Sequence, residues 1–209
     1  LMLHSVQQDD PITFFKLLNS AEKLFRDKST PSSGKYFWCI NNDGNPSDPN
    51  NATDADYDIA LAIICATRKI MNSDNWTQYE NRLIPLQEKA TQILSSVRSS
   101  LTITLDRDLN NKIDLGFIRP WSNPNGRDVY NPSYFKPMHL EEFAKFDPEN
   151  QDLYQQIIQS GYEILEAIIN QSIKTNKGQT IPNWVRLSFT DSKINVSEND
   201  QHVQNGKYQ

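Results

Sequence analysis

Residues 53–71 constrain this chain more than any other stretch. Ile59, Ala60, Ile63, Ile64, Ala66 and Ile70 recur at helical spacing but occupy much of the helix circumference. A surface helix keeps its apolar residues to one stripe, whereas one that is apolar on most sides is enclosed on most sides. Such a helix needs a shell of other elements around it. Its start carries Asp54, Asp56 and Asp58. Acidic residues favour helix N-termini through capping and the helix dipole, and Thr53 with Asp56 has the spacing of a capping box. Asp54 and Asp58, four apart, share a face and repel. A cap needs one or two acids. Three at the mouth of a buried helix point to an interior cavity, where a carboxylate is costly unless something pairs with it or uses it.

The flanking pattern is also helical. Asp10-Pro11 is a cap followed by a first-turn proline, and Phe14, Leu17, Leu18, Ala21, Leu24 and Phe25 form one apolar stripe. A helix over about 76–98 carries Trp76, Tyr79, Leu83, Leu86, Ala90, Ile93 and Val97, with Pro85 placed to kink or split it. Further helices are predicted near 137–146 and after Asp147-Pro148-Glu149, where Leu153, Ile157, Gly161, Leu165 and Ile168 recur. Residues 101–105 (LTITL) alternate and are β-branched, which predicts a short strand. Residues 27–35, 41–53 and 106–133 are turn-forming, and a loop as long as the last is often functional. Residues 181–189 are short and apolar, and the last twenty are polar and weakly patterned. About five helices joined by unequal loops predict an all-α domain.

The formal net charge of −5 gives nucleic acid no electrostatic attraction, and is compatible with a neutral, polar substrate, which needs no charge match. No run of about 18 apolar residues predicts a membrane span. Cys39 and Cys65 are too few for a disulfide framework, and Cys65 reads as a buried thiol. Asp106, Asp108 and Asn110 begin like a calcium loop, but Asn111 stands where glycine is required and Phe117 where a glutamate is required. His4, His139 and His202 are scattered, so no metal site is expected.

Ala52–Ala66 (ATDADYDIALAIICA) resembles the signature of glycoside hydrolase family 8, an Ala-Thr-Asp-Ala/Gly-Asp run leading into an apolar helix. Asn131-Pro132-Ser133-Tyr134-Phe135-Lys136-Pro137 is similar to the family's Asn-Pro-Ser-Tyr-Phe segment. Phe143-Ala144, Asp147 and Gly161-Tyr162 follow at the family's spacing, and Trp38 with Asp43-Gly44 precedes the signature. Order and spacing agree over about residues 1–189. One departure is Ile70, where the signature ends in an aromatic.

The resemblance implies an all-α (α/α)6 helical barrel, incomplete in this chain, with residues 1–209 forming one catalytic domain. It implies inverting hydrolysis of internal β-1,4 bonds in a linear glucan by two carboxylates, without a cofactor or metal. Asp54 would sit at the central sugar and help distort that ring. Trp38, Asp56, Asn131, Tyr134 and Trp121 are the expected substrate-binding residues, with Trp38 and Trp121 as stacking platforms. The family's general acid, a Glu in a Ser-Glu-Gly segment, would lie upstream of the helix that Leu1-Met2-Leu3 continues. Its base, an Asp in a Tyr-Asp-Ala-type segment, would begin near Lys207-Tyr208-Gln209. Neither segment is present, so the chain is expected to be a central portion that is inactive alone. Xylan or chitosan as substrate, a polysaccharide-binding relative that does not cut, and a helical interaction protein whose acids only cap are the alternatives. A monomer outside the bacterial cytoplasm, extracellular or periplasmic, completes the expectation.

Overall fold

The computed structural model describes residues 1–30, 33–48, 50–100, 102–105, 115–119, 129–174, 181–190 and 193–198. The chain divides into two compact units, Leu1–Leu101 and Thr102–Gln209.

The first unit is helical. It contains α1 (Met2–Gln7), α2 (Pro11–Leu24), α3 (Thr53–Asn72), a 3-10 segment (Asp74–Arg82) and α4 (Leu83–Ser100). As expected, α3 is enclosed. Ala60, Ala62, Ile63, Ile64 and Ala66 have no exposed surface, and α1, α4 and the 3-10 segment all pack on the helix. Each large apolar side chain buried there contributes roughly 1.5–3 kcal/mol. Asp10 caps α2 by accepting from the Thr13 N–H at 3.0 Å. Pro85 does split the expected helix. It stands in the first turn of α4, where a missing N–H costs nothing, and the residues before it tighten into 3-10 geometry.

A polar clasp joins α1 to the far end of α3. Asp9, at φ +58°, follows α1 directly. Its carboxylate accepts from Lys69 Nζ (2.9 Å), Ser73 Oγ (3.2 Å), Asn75 Nδ2 (2.6 Å) and Trp76 Nε1 (3.0 Å). The Lys69 hydrogen bond leads the effects that hold the Asp9 carboxyl below the usual range. Trp76 is wholly buried against Phe14, with ring centroids 5.6 Å apart.

The second unit mixes helix and sheet. It holds β1 (Thr102–Leu105), β2 (Leu115–Ile118), β3 (Val129–Tyr130), α5 (Pro137–Phe146), α6 (Gln151–Lys174), β4 (Val185–Thr190) and β5 (Lys193–Glu198). The expected strand at 101–105 forms and pairs antiparallel with β2, Thr102 opposite Ile118. A second antiparallel sheet in the order β3-β4-β5 was not anticipated. Val185 and Leu187 of β4 pack with Phe117, Tyr130, Ile164 and Ile168, so the sheet is held by the face it turns to α6. Asp147 is the N-cap of the 3-10 turn Pro148–Asn150 that leads into α6, and its side chain accepts from Asn150 Nδ2 and the Tyr154 hydroxyl, at 2.9 and 3.0 Å, rather than from a backbone N–H.

Neither cysteine forms a disulfide and both are half-buried, which differs from the fully buried thiol expected at Cys65. No helix among the described residues is long and apolar enough to cross a membrane.

Candidate active site

The start of α3 is built differently from a capping box. Ala52 is the N-cap and makes no side-chain cap bond, and Thr53 is the first helical residue, with no exposed surface. Asp54, second in the helix, is half-buried, and Asp58, one turn on, is exposed. Both therefore reach solvent, Asp54 in part.

Asp56 does not. It has no exposed surface, and both of its oxygens are engaged. Oδ1 accepts from the Tyr36 backbone N–H at 3.0 Å, and Oδ2 accepts from Asn51 Nδ2 at 2.7 Å. Its expected contact with substrate is corrected on that ground: a carboxylate sealed from the surface and filled by two internal donors has no free edge to offer a sugar. Exclusion of water pushes its pKa up to about 7, and the Asp54 charge adds to this. The donors Asn51 and Tyr36 and the charge of Lys35 pull the other way.

Trp38 lies on the loop that Asp56 holds. Tyr36 bridges to Arg26, Phe37 bridges to Asn51, and Ile40 bridges to Pro46, so the loop folds back on itself before entering α3. Trp38 is 47% exposed, beside residues that are mostly inside. A large ring left half in water on a pinned loop is suited to stacking on a flat, partly apolar ligand such as a sugar face.

Beneath the loop, Tyr36 is buried and its hydroxyl donates to Glu22 Oε1. Glu22 Oε2 accepts from Lys89 Nζ at 2.7 Å and from Arg26 Nη1 at 3.2 Å. Burial works against the Glu22 charge, but the Lys89 and Tyr36 hydrogen bonds and the Arg26 charge outweigh it and hold the carboxyl below its usual range. Gly34 sits so close to α4 that a Cβ would lie 2.4 Å from the Gln92 carbonyl oxygen.

In the second unit, the expected sugar contact at Asn131 is also corrected. Asn131 is buried, and its Oδ1 accepts from the Ser133 N–H (2.9 Å) and the Ser133 hydroxyl (2.7 Å). It caps the 3-10 turn Pro132–Tyr134. That turn presents Tyr134, half-buried, with its ring edge-on to Trp184 at 6.1 Å. Phe135, the next residue, packs directly on α6, where a Cβ on Gly161 would come within 2.2 Å of its ring. Trp121 lies outside the described residues.

Trp184 was not singled out as a site residue by sequence, because a lone Trp in a short apolar run reads as core. Its pairing with Tyr134 is set across fifty residues of chain. Among the described residues, no group of three or more His, Cys, Asp or Glu side chains converges as metal ligands.

A half-buried carboxylate at the start of an enclosed helix, in a chain of this helical build, fits the helical-barrel class of glycoside hydrolases. The family model for glycosyl hydrolases family 8 matches residues 1–205, and the chain belongs to that family. Among solved structures, it resembles the family 8 endoglucanase Cel10 from Klebsiella pneumoniae, with 23% identity, a TM-score of 0.66, and coverage of 92% of this chain and 55% of that one. It also resembles the endo-β-1,4-glucanase CMCax from Acetobacter xylinum, with 17% identity, a TM-score of 0.70, and coverage of 95% and 55%. A reducing-end-xylose releasing exo-oligoxylanase solved with xylose is similar too, with 19% identity, a TM-score of 0.66, and coverage of 91% and 50%. At these identities the likeness establishes the fold, the (α/α)6 barrel, and this chain spans about half the length of the solved structures it matches. No curated protein matches it.

Proposed function

We propose that this chain carries the substrate-positioning part of an endo-acting glycoside hydrolase that cleaves β-1,4 bonds of a linear glucan with inversion. The observation that carries this reading is Asp54, half-buried at the mouth of α3 with the exposed Trp38 on the adjoining loop, within a family 8 signature.

In this reading Trp38 stacks on one sugar, and Asp54 accepts hydrogen bonds from hydroxyls of the ring at the scissile bond. An acceptor fixed at the end of a rigid helix can hold a ring in a distorted shape, part-way to the oxocarbenium-like transition state. Hydrolysis by inversion then needs an acid to protonate the leaving oxygen. It also needs a base, about 6.5–9.5 Å from the acid, to activate water on the opposite face. Neither role is assigned to a residue of this chain. In the second unit, Tyr134, edge-on to Trp184, offers a ring edge for a sugar. A xylan-type substrate is the second reading, favoured by the similarity to an exo-oligoxylanase. A polymer of either kind is met outside the cytoplasm, so an extracellular or periplasmic setting goes with the reading.

The test is reducing-sugar release by the full-length protein from carboxymethyl cellulose, xylan and chitosan, for wild type and Asp54→Ala. Loss of a group that orients the reacting ring is expected to cost about 10²-fold or more in turnover. Because Asp54 is not the N-cap, its removal costs no capping bond, and the helix-dipole interaction it gives up is worth about 0.3–1 kcal/mol. An Asp54→Ala enzyme that keeps full turnover overturns the reading.

A further inference from the structure

The reading above, on which this inference rests, leaves the second acid of the helix start without a role. Asp56 reaches no open surface, so it cannot touch substrate. Its two oxygens instead hold two separate parts of one loop, the Tyr36 backbone at 3.0 Å and the Asn51 side chain at 2.7 Å. These residues stand on opposite arms of the loop, next to the bridge between Phe37 and Asn51 that closes it. Trp38 follows Tyr36 by two residues, and Asp54 precedes Asp56 by two. One side chain therefore joins the arm that presents Trp38, the residue that leads into α3, and the turn of α3 that carries Asp54. We propose that Asp56 is a positioning residue, which acts through Tyr36 and Asn51 to fix the Trp38 ring relative to the Asp54 carboxylate and so sets how a sugar is held over Asp54.

Two physical points favour positioning over simple stabilisation. A buried carboxylate is an expensive way to fill space, and an apolar group of similar volume is often as good or better for stability. What the carboxylate adds is direction, because its two acceptors lie in one plane and demand donors at defined places. Trp38 also needs such control. It is 47% exposed, so its own packing does not fix it, and beyond it the loop turns through the exposed residues 41–47.

The experiment uses the full-length protein and four variants, Asp56→Asn, Asp56→Ala, Trp38→Ala and the double Asp56→Ala/Trp38→Ala. Cellohexaose and xylohexaose binding are titrated, and exchange of the Tyr36 amide proton is followed by NMR. Trp38→Ala and Asp56→Ala are each expected to weaken oligosaccharide binding about tenfold, the worth of one aromatic contact. The double variant should be no weaker than either single one, because both remove the same platform. Asp56→Asn keeps an acceptor for Tyr36, and the Asn51 amide can turn its oxygen toward the new amide, so this variant should bind within a factor of about three of wild type. The Tyr36 amide should exchange about tenfold faster in Asp56→Ala and stay protected in Asp56→Asn.

Independent, multiplying losses in the double variant, or an unchanged Tyr36 exchange rate in Asp56→Ala, overturn the proposal. If Asp56→Ala does not fold, Asp56→Asn combined with Trp38→Ala replaces it, and an Asp56→Asn variant that loses both binding and Tyr36 protection while folded also overturns it. Should wild type bind neither hexaose, the proposed function fails. The exchange arm then judges the clasp alone, and an unprotected Tyr36 amide in wild type sinks it.

Discussion

Replacing Gly34 by alanine tests how the Trp38 loop is anchored. Gly34 is buried against α4 and lies outside the left-handed region, so its lack of a side chain matters for space alone. A Cβ there would lie 2.4 Å from Gln92 O, 2.6 Å from Gln92 C and 2.6 Å from Ile93 Cα. All three obstacles are helix backbone, which cannot swing aside as a side chain can. The loop or α4 must therefore move by about 1 Å to restore ordinary contact. The Gly34 N–H donates to Ser96 Oγ at 3.0 Å, and Arg26 Nε and Nη2 donate to the Ser33 carbonyl at 3.3 and 3.2 Å. A shift of that size weakens these bonds together. Overpacking costs about 1–3 kcal/mol, and one lost hydrogen bond about 1 kcal/mol. The stiffer unfolded chain returns about 0.4–1 kcal/mol. The net expectation is a destabilisation of about 1–3.5 kcal/mol.

Urea unfolding followed by tryptophan fluorescence would show this as a fall in midpoint on the order of 1 M, given a slope of about 1–3 kcal/mol/M. Gly44→Ala is the matched control. Gly44 has φ +77° and nothing within 4 Å, so its only penalty is the left-handed backbone, about 1–2 kcal/mol. A Gly34→Ala protein as stable as wild type refutes the close-approach reasoning.

Other outcomes follow from the same structure. Gly161→Ala should push the Phe135 ring off α6 and cost about 1–3 kcal/mol, and Phe135→Leu in the same protein should recover part of it; thermal unfolding decides, and equal losses with and without the second change would refute the contact. Asp56 has a folded pKa raised from 3.8 to about 7, so its contribution to stability is full below about 3.8 and is lost as pH rises through 7. The loss is on the order of 4 kcal/mol. Lys35 and Asp54 are the charged groups that act on it, and Asp56→Asn should flatten stability against pH over this window in urea titrations at several pH values. Glu22 behaves oppositely. Its lowered pKa gives stability that is present above about 4.5 and lost as pH falls through the folded value, so Glu22→Gln should reduce acid sensitivity while lowering stability at neutral pH. Asp9→Ala should lower the unfolding midpoint, because it strips the buried Trp76 indole N–H of its acceptor; an unchanged midpoint would show the clasp to be idle.

Local chemistry wrote much of this protein's helical framework into its sequence. The enclosed helix α3, the Asp10 cap, the Pro85 break and the strand at Thr102–Leu105 all appear where residue periodicity, capping and proline geometry place them. These signals act within a few residues, so a one-dimensional pattern suffices. The hairpin of β4 and β5 shows in the alternation of Val185, Leu187, Ile194 and Val196 with Arg186, Ser188, Asn195 and Ser197, a strand period that composition alone, apolar up to residue 189 and polar beyond, does not reveal. Only packing of Val185 and Leu187 on Phe117, Tyr130, Ile164 and Ile168 makes that pattern a strand pair.

The site divides in the same way. The family signature marked the segment that carries Asp54, and the Asn-Pro-Ser-Tyr-Phe run marked Tyr134. Which acid faces outward was beyond the sequence, since Asp54, Asp56 and Asp58 differ there only in position along one helix. Folding brings Tyr36 and Asn51 to Asp56 and withdraws it from the surface, and it turns Asn131 back on Ser133 as a cap. A hydrogen bond across twenty residues leaves no trace in local periodicity, because its partners become neighbours only once the core between them has formed.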